Sequence, residues 1–246
     1  TPMRDNRFSV VDFDGTNDYI DCGNDSSLQI TGTTISVSAW IKADALNDWS
    51  VIIGNASGGN WEDGWALFWS SNLLKFSINH YSTNLASTAY TSTGVWSHVV
   101  GTYDGTTMKI YLDGVLGTTT DTYSSAIGNS TNTIMGKKID ETNYWDGAIS
   151  SVAVYNTAKS ADEVYAIYQQ GITYDESSLS GLVGYWRMGD DTSKAYPTIA
   201  DSSSNSNDGT ITNGAVDDIV QQMVAGYDMG AFESSSEELG GDLTKG

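Results

Sequence analysis

The chain has 246 residues, 39% hydrophobic and 11% aromatic, which is enough for one large or two small packed all-β domains and argues against disorder throughout. Its 31 acidic residues against 11 basic ones give a formal net charge of -20, a field that repels phosphate backbones and anionic membranes, so nucleic acid is not an expected partner. The acids are 24 Asp and only 7 Glu, and together with abundant Gly, Ser, Thr and Asn they describe many short strands joined by tight turns.

The first element is FSVVDFDGTNDYIDCGN, Phe8 to Asn24, which reads as strand, turn and strand and carries Asp12, Asp14, Asp18 and Asp21. Two readings are open: the aspartates form Asx turns, or they hold a metal. Cys22, the one cysteine, has no intrachain partner and reads as an inert strand-end residue. In TISVSAWIKA, Ile35, Val37, Ala39 and Ile41 alternate with Ser36, Ser38, Trp40 and Lys42, the period of a strand with one core face. Further strands are expected at 49–55, 64–71, 73–79, 96–103, 108–116 and 148–156, at the spacing of a β-sandwich. Asp-Gly occurs six times, and Asp113-Gly114 between MKIYL and VLGTTT is a two-residue hairpin signal.

One short helix follows, with Ser160 and Glu163 as a capping box and Gly171 at its C-terminal end. GLVGYWRM, Gly181 to Met188, reads as a strand that pairs with the sandwich and buries Leu182, Trp186 and Met188 on one face. The domain organisation expected is a main unit at 1–174, a C-terminal segment at 175–228 and an acidic tail at 229–246. No apolar run reaches the roughly 18 residues that span a bilayer, so membrane insertion is not expected. The start at Thr1 fits processing or excision from a longer polypeptide.

VDFDGTNDYIDCG, TISVSAWIKA, GVWSHVVGTYDG, MKIYLDGVL and YWDGAISSVAVYN, in this order and ahead of a capped helix, resemble the laminin-G-like branch of the concanavalin-A-like jelly rolls over about residues 8 to 170. The resemblance implies an all-β fold: a two-sheet antiparallel jelly-roll sandwich with one peripheral helix and rim loops that bind glycan or protein. It also implies a structural calcium where the first loop meets the last strand, at Asp14, Asp18 and Asp146, with the Asx-turn reading still open. The spacing of an EF-hand loop is absent. His98 is, by resemblance, a buried strand residue.

Glycan hydrolysis needs two carboxylates about 5 to 10 Å apart. The alternating acidic run that related glucanases carry is missing, and Glu62 and Asp63 are adjacent and diverge, so no enzyme is expected. Sugar binding asks for flat rings and a few polar partners. Trp49, Trp61, Glu62, Asp63, Tyr81 and Trp145 are the candidates, with Trp65 and Trp69 assigned to either core or platform.

In the family pattern a strand like GLVGYWRM and a turn like DSSSNSNDGT come first, whereas here they come last, which fits a permuted order, a repeat fragment or a strand that completes a neighbour. The same module resembles, more loosely, parts of structural proteins of marine bacteriophages. The expected function is a non-catalytic, lectin-like adhesion or recognition module on an extracellular or virion surface. Its partner would be cell-surface polysaccharide, neighbouring copies or other virion proteins; the alternative is an architectural virion subunit acting by assembly.

Overall fold

The computed structural model describes residues 7–57, 61–128, 132–138, 143–191 and 193–224, so the expected tail at 229–246 lies outside the described residues. In chain order the strands are β1 (Arg7–Asp14), β2 (Tyr19–Asp21), β3 (Ile35–Ala45), β4 (Ser50–Ser57), β5 (Asp63–Ser70), β6 (Leu73–Ile78), β7 (Leu85–Ala89), β8 (Ser97–Tyr103) and β9 (Thr107–Leu112). They continue as β10 (Val115–Leu116), β11 (Asp121–Thr122), β12 (Ile134–Met135), β13 (Asp146–Tyr155), β14 (Leu182–Trp186), β15 (Thr198–Ile199), β16 (Gly209–Thr212) and β17 (Ile219–Met223), with helix α1 (Ala161–Gln170) between β13 and β14.

Among the described residues these strands form two antiparallel sheets, of nine and eight strands. The first runs β10-β9-β8-β3-β13-β1-β17, with β11 on β9 and β14 on β13; the second runs β15-β16-β2-β12-β4-β5-β6-β7. The fold is the expected all-β jelly-roll sandwich. Period-two alternation sends Val11, Phe13, Val37, Ile41, Ile53, Leu67 and Phe76 into one core between the sheets. At closest approach Gly101 has no side chain because the Phe76 ring of the opposite sheet occupies that space. His98 is fully buried on β8, and desolvation depresses its pKa to about 3, so it is a neutral packing residue bonded through Nε2 to Ser38 Oγ at 2.9 Å.

The module that resembles the family's usual first strand is taken up inside the same chain. β14 lies along β13, pairing Val152 with Trp186 and Ala153 with Tyr185, while β16 pairs with β2 and β17 with β1. The polar turn holds the two sheets together: buried Asp201 accepts from the backbone N–H groups of Tyr185, Ser203 and Asn207, each at 2.8 Å. Trp186 Nε1 donates to Asn207 O at 2.8 Å, and Trp186 and Met188 reach the main core. Leu182 does not share that face. A register irregularity opposite Val154 and Tyr155 turns it toward Leu179, Tyr155 and Tyr185 instead.

The outer faces of the sheets differ. That of the first sheet is covered: Val164 of α1 packs on Val100 and Tyr111, and Ile172 beyond the helix packs on Phe8, Val10 and Trp40. Ser160 and Glu163 cap the helix as expected. That of the second sheet carries no helix among the described residues, and its side chains form the surface considered next.

Candidate functional site

On β5, Leu67 and Trp69 point into the core, so Ala66 and Phe68 must point outward. Their partners across the sheet follow: Ala66 opposes Gly54, and Phe68 opposes Val51 on one side and Lys75 on the other. Gly54, Ala56, Ala66 and Val51 thus leave a shallow hollow walled by Trp61 and Lys137.

Two tryptophans are folded onto this face from the connections before β4 and β5. Trp49 lies stacked on Phe68 (centroids 6.1 Å) and edge-on to Tyr81 (5.0 Å), and Trp61 meets Phe68 and Tyr81 edge-on at 4.8 and 5.6 Å. Both tryptophans have positive φ, 66° for Trp49 and 53° for Trp61. Bulky residues avoid that region at a cost of about 1–3 kcal/mol each, so the surrounding contacts must hold the rings in place.

Lysines cap the rings. Lys75 Nζ sits 5.6 Å from the centre of Trp49 and 5.8 Å from Phe68, Lys138 Nζ 5.5 Å from Trp49 and 5.6 Å from Trp61, and Lys137 Nζ 4.7 Å from Tyr19 and 5.9 Å from Tyr144. Burial holds the Lys75 ammonium below its usual pKa, with Asp48 acting in the opposite sense. Tyr19, Trp49, Tyr81, Tyr144, Lys75 and Lys137 are all half-buried, with part of each side chain open to solvent.

Of the residues the sequence nominates, Trp49, Trp61 and Tyr81 therefore come together, and Glu62 and Asp63 are exposed beside Trp61. Trp61 is only 3% exposed and buttresses the cluster from below. Trp145 does not belong to the face: its ring is fully buried in the core between the sheets, and its backbone N–H donates to Gly136 O at 2.8 Å. Trp65 and Trp69 are core residues too. Phe68 and the three lysines were not nominated. Alternation in LLKFSIN places Lys75 outward, and the adjacent Lys137 and Lys138 are conspicuous in so acidic a chain.

Asp14, Asp18 and Asp146 lie around the C-terminal end of β1, in the first sheet and the turn that follows it. Asp14 is paired across the sheet with Asp146, and the Asp146 carboxyl fills the space beside Gly15. Asp14 Oδ1 accepts from the N–H of Thr16 at 2.8 Å and of Asn17 at 3.3 Å, an Asx turn, and Asp18 Oδ2 accepts from the Asp14 N–H at 3.3 Å. Burial raises the pKa of Asp18 and of Asp146, with the Asp44 charge adding at Asp146. Among the described residues no three His, Cys, Asp or Glu side chains converge so as to hold a metal ion, and the turn engages Asp14 Oδ1 and Asp18 Oδ2.

The family model for the Concanavalin A-like lectin/glucanases superfamily matches residues 14–165. Among solved structures, the chain is similar to a candidate carbohydrate binding protein from Bacteroides ovatus (TM-score 0.65, 17% identity), covering 89% of this chain and 60% of that one. It is also similar to a heptameric SAP-like pentraxin from Limulus polyphemus (TM-score 0.52, 18% identity, 67% of this chain and 83% of that one). A third is the CBM40 of the Ruminococcus gnavus IT-sialidase, solved with α2,3-sialyllactose (TM-score 0.51, 15% identity, 66% and 97%). The chain spans 60% of the length of the Bacteroides ovatus protein. No curated protein matches the sequence.

Proposed function

The chain belongs to the Concanavalin A-like lectin/glucanases superfamily, and on that premise we propose that it is a non-catalytic glycan-binding module whose site is the outer face of the second sheet. The observation that carries this reading is the pair of left-handed tryptophans, Trp49 and Trp61, which share one aromatic cluster on the sheet face that no helix covers among the described residues. The half-exposed rings of Trp49 and Tyr81 suit the C–H faces of a pyranose, and Glu62 and Asp63, next to the buried Trp61 that supports them, suit its hydroxyls. A fold shared with a candidate carbohydrate binding protein and a sialyllactose-bound module agrees with this reading.

A glycan array with wild-type protein and Trp49→Ala tests it: specific sugar binding that the substitution weakens supports the site, and an array on which no glycan binds rejects it. The setting implied is extracellular, with cell-surface polysaccharide as the partner. No helix among the described residues is long and apolar enough to cross a membrane. Structural calcium at Asp14, Asp18 and Asp146 is a separate proposal: relief of repulsion between Asp14 and Asp146 supports it, and Asp14 Oδ1 would have to leave the Asx turn to bind the ion. The virion-subunit alternative rests on the likeness of GLVGYWRM and its turn, a segment that here pairs within its own chain.

A further inference from the structure

We infer that the ligand of this face is an anionic glycan, one whose sugars carry carboxylate or sulfate groups. The inference deepens the proposed glycan-binding function and rests on it. Its ground is the placement of positive charge. The chain has eight lysines against 31 acids, and three of the eight, Lys75, Lys137 and Lys138, lie over the rings of one sheet face.

Elsewhere four of the described cations sit in ion pairs. Lys109 is 3.5 Å from Asp104, Lys159 3.8 Å from Glu163, Lys194 3.0 Å from Asp208 and Arg187 2.9 Å from Asp190, while Lys42 lies alone over the Trp96 ring with Asp12 acting on it as Asp48 acts on Lys75. Lys75 and Lys137 instead make no ion pair among the described residues, although acids outnumber bases nearly three to one. Aromatic rings hold both in place by cation–π contact, a hold that leaves the ammonium N–H groups able to donate further. Lys137 also borders the hollow walled by Trp61, so an anionic substituent on a sugar seated there would meet its charge.

The opposing effect is the net charge of -20, which repels any anion from a distance. At about 0.15 M salt the screening length is about 8 Å, so distant carboxylates fade while contacts with Lys75 and Lys137 remain. Local charge therefore decides the outcome at physiological ionic strength. An acidic chain also has little unspecific attraction for polyanions, so any binding of one is informative.

The test measures wild-type affinity for two matched pairs of polysaccharides at about 0.15 M salt: methyl-esterified against de-esterified homogalacturonan, and dextran against dextran sulfate. The first pair reports carboxylate recognition and the second sulfate recognition. At least one charged member is expected to bind about tenfold or more tightly than its neutral counterpart. The double variant Lys75→Ala with Lys137→Ala should lose about tenfold on that member, with Lys→Arg at both sites restoring most of it. Circular dichroism and melting confirm that the variants fold. Neutral members bound as well as charged ones, or a double variant with unchanged affinity, overturn the inference and leave the glycan reading standing. Absence of binding to all four polysaccharides and to every glycan on an array overturns both.

Discussion

The Tyr155 hydroxyl donates to Glu176 Oε2, and both groups are buried beneath the segment that follows α1. The bond ties that segment to β13, the central strand of the first sheet, with Lys159 lying 4.3 Å from the centre of the Tyr155 ring. Burial raises the Glu176 carboxyl from its ordinary 4.5 to about 7, and it pushes the Tyr155 hydroxyl up as well.

A pH dependence follows from Glu176. The folded state binds its proton more tightly than the unfolded chain does, so this stabilisation is complete below about pH 4.5 and is lost as pH rises through about 7. At about 1.4 kcal/mol per pKa unit the loss is of order 3 kcal/mol. Denaturant melts from pH 5 to 8 should show declining stability in the wild type, and Glu176→Gln should flatten the decline. Equal slopes for both proteins would place the titration elsewhere.

Trp49 and Trp145 should separate binding from folding. Trp145→Ala empties a fully buried core site and should cost about 3–5 kcal/mol. Trp49→Ala removes only a half-buried ring and leaves the left-handed backbone as it is, so about 1–2 kcal/mol is expected. Chemical denaturation of the two variants measures the difference, and equal losses would contradict the placement of either ring.

Removal of the chain beyond Tyr174 should be severely destabilising. It strips β14 from β13, β16 from β2 and β17 from β1, and takes Glu176, Trp186 and Met188 out of buried positions. Light scattering should find aggregates, because the edges of β2 and β1 lose their partners. A monodisperse truncated protein with an unchanged melting temperature would show these strands to be dispensable.

The calcium proposal predicts that millimolar calcium raises the melting temperature and EDTA lowers it, since an ion bound only by the native state adds to its stability. Asp146→Asn should abolish the response. A midpoint that ignores both additions removes calcium from the account.

The parts of the fold that depend on period were legible in the sequence. Ile35, Val37, Ala39 and Ile41 do share the core face, and the Ser160 and Glu163 capping box does open the helix. Leu182 was misread because β14 itself bulges at Val183, one extra residue opposite Val154 and Tyr155, which breaks the strict alternation assumed along GLVGYWRM. Trp145, beside an Asp, reads as either a rim anchor or a plug at the sandwich edge, and its ring lies in the core between the sheets through contacts far away in sequence. The site was half legible. Trp49, Trp61 and Tyr81 stand out by composition, but a left-handed backbone is anticipated only at Gly or Asn, so the sequence carries no sign that both tryptophans fold back onto β5. Phe68 and Lys75 become recognisable once β5 and β6 are in register.

The most direct test of the central claim is a titration of wild type and Trp49→Ala with whichever glycan the array selects, followed calorimetrically and accompanied by hydrogen-exchange footprinting. The account predicts at least about a tenfold loss of affinity in the variant and, in the wild type, glycan-dependent protection confined to β4, β5, β6 and the connections bearing Trp49, Trp61 and Tyr81. Unchanged affinity, or protection that falls instead on α1 and the outer face of the first sheet, would contradict it.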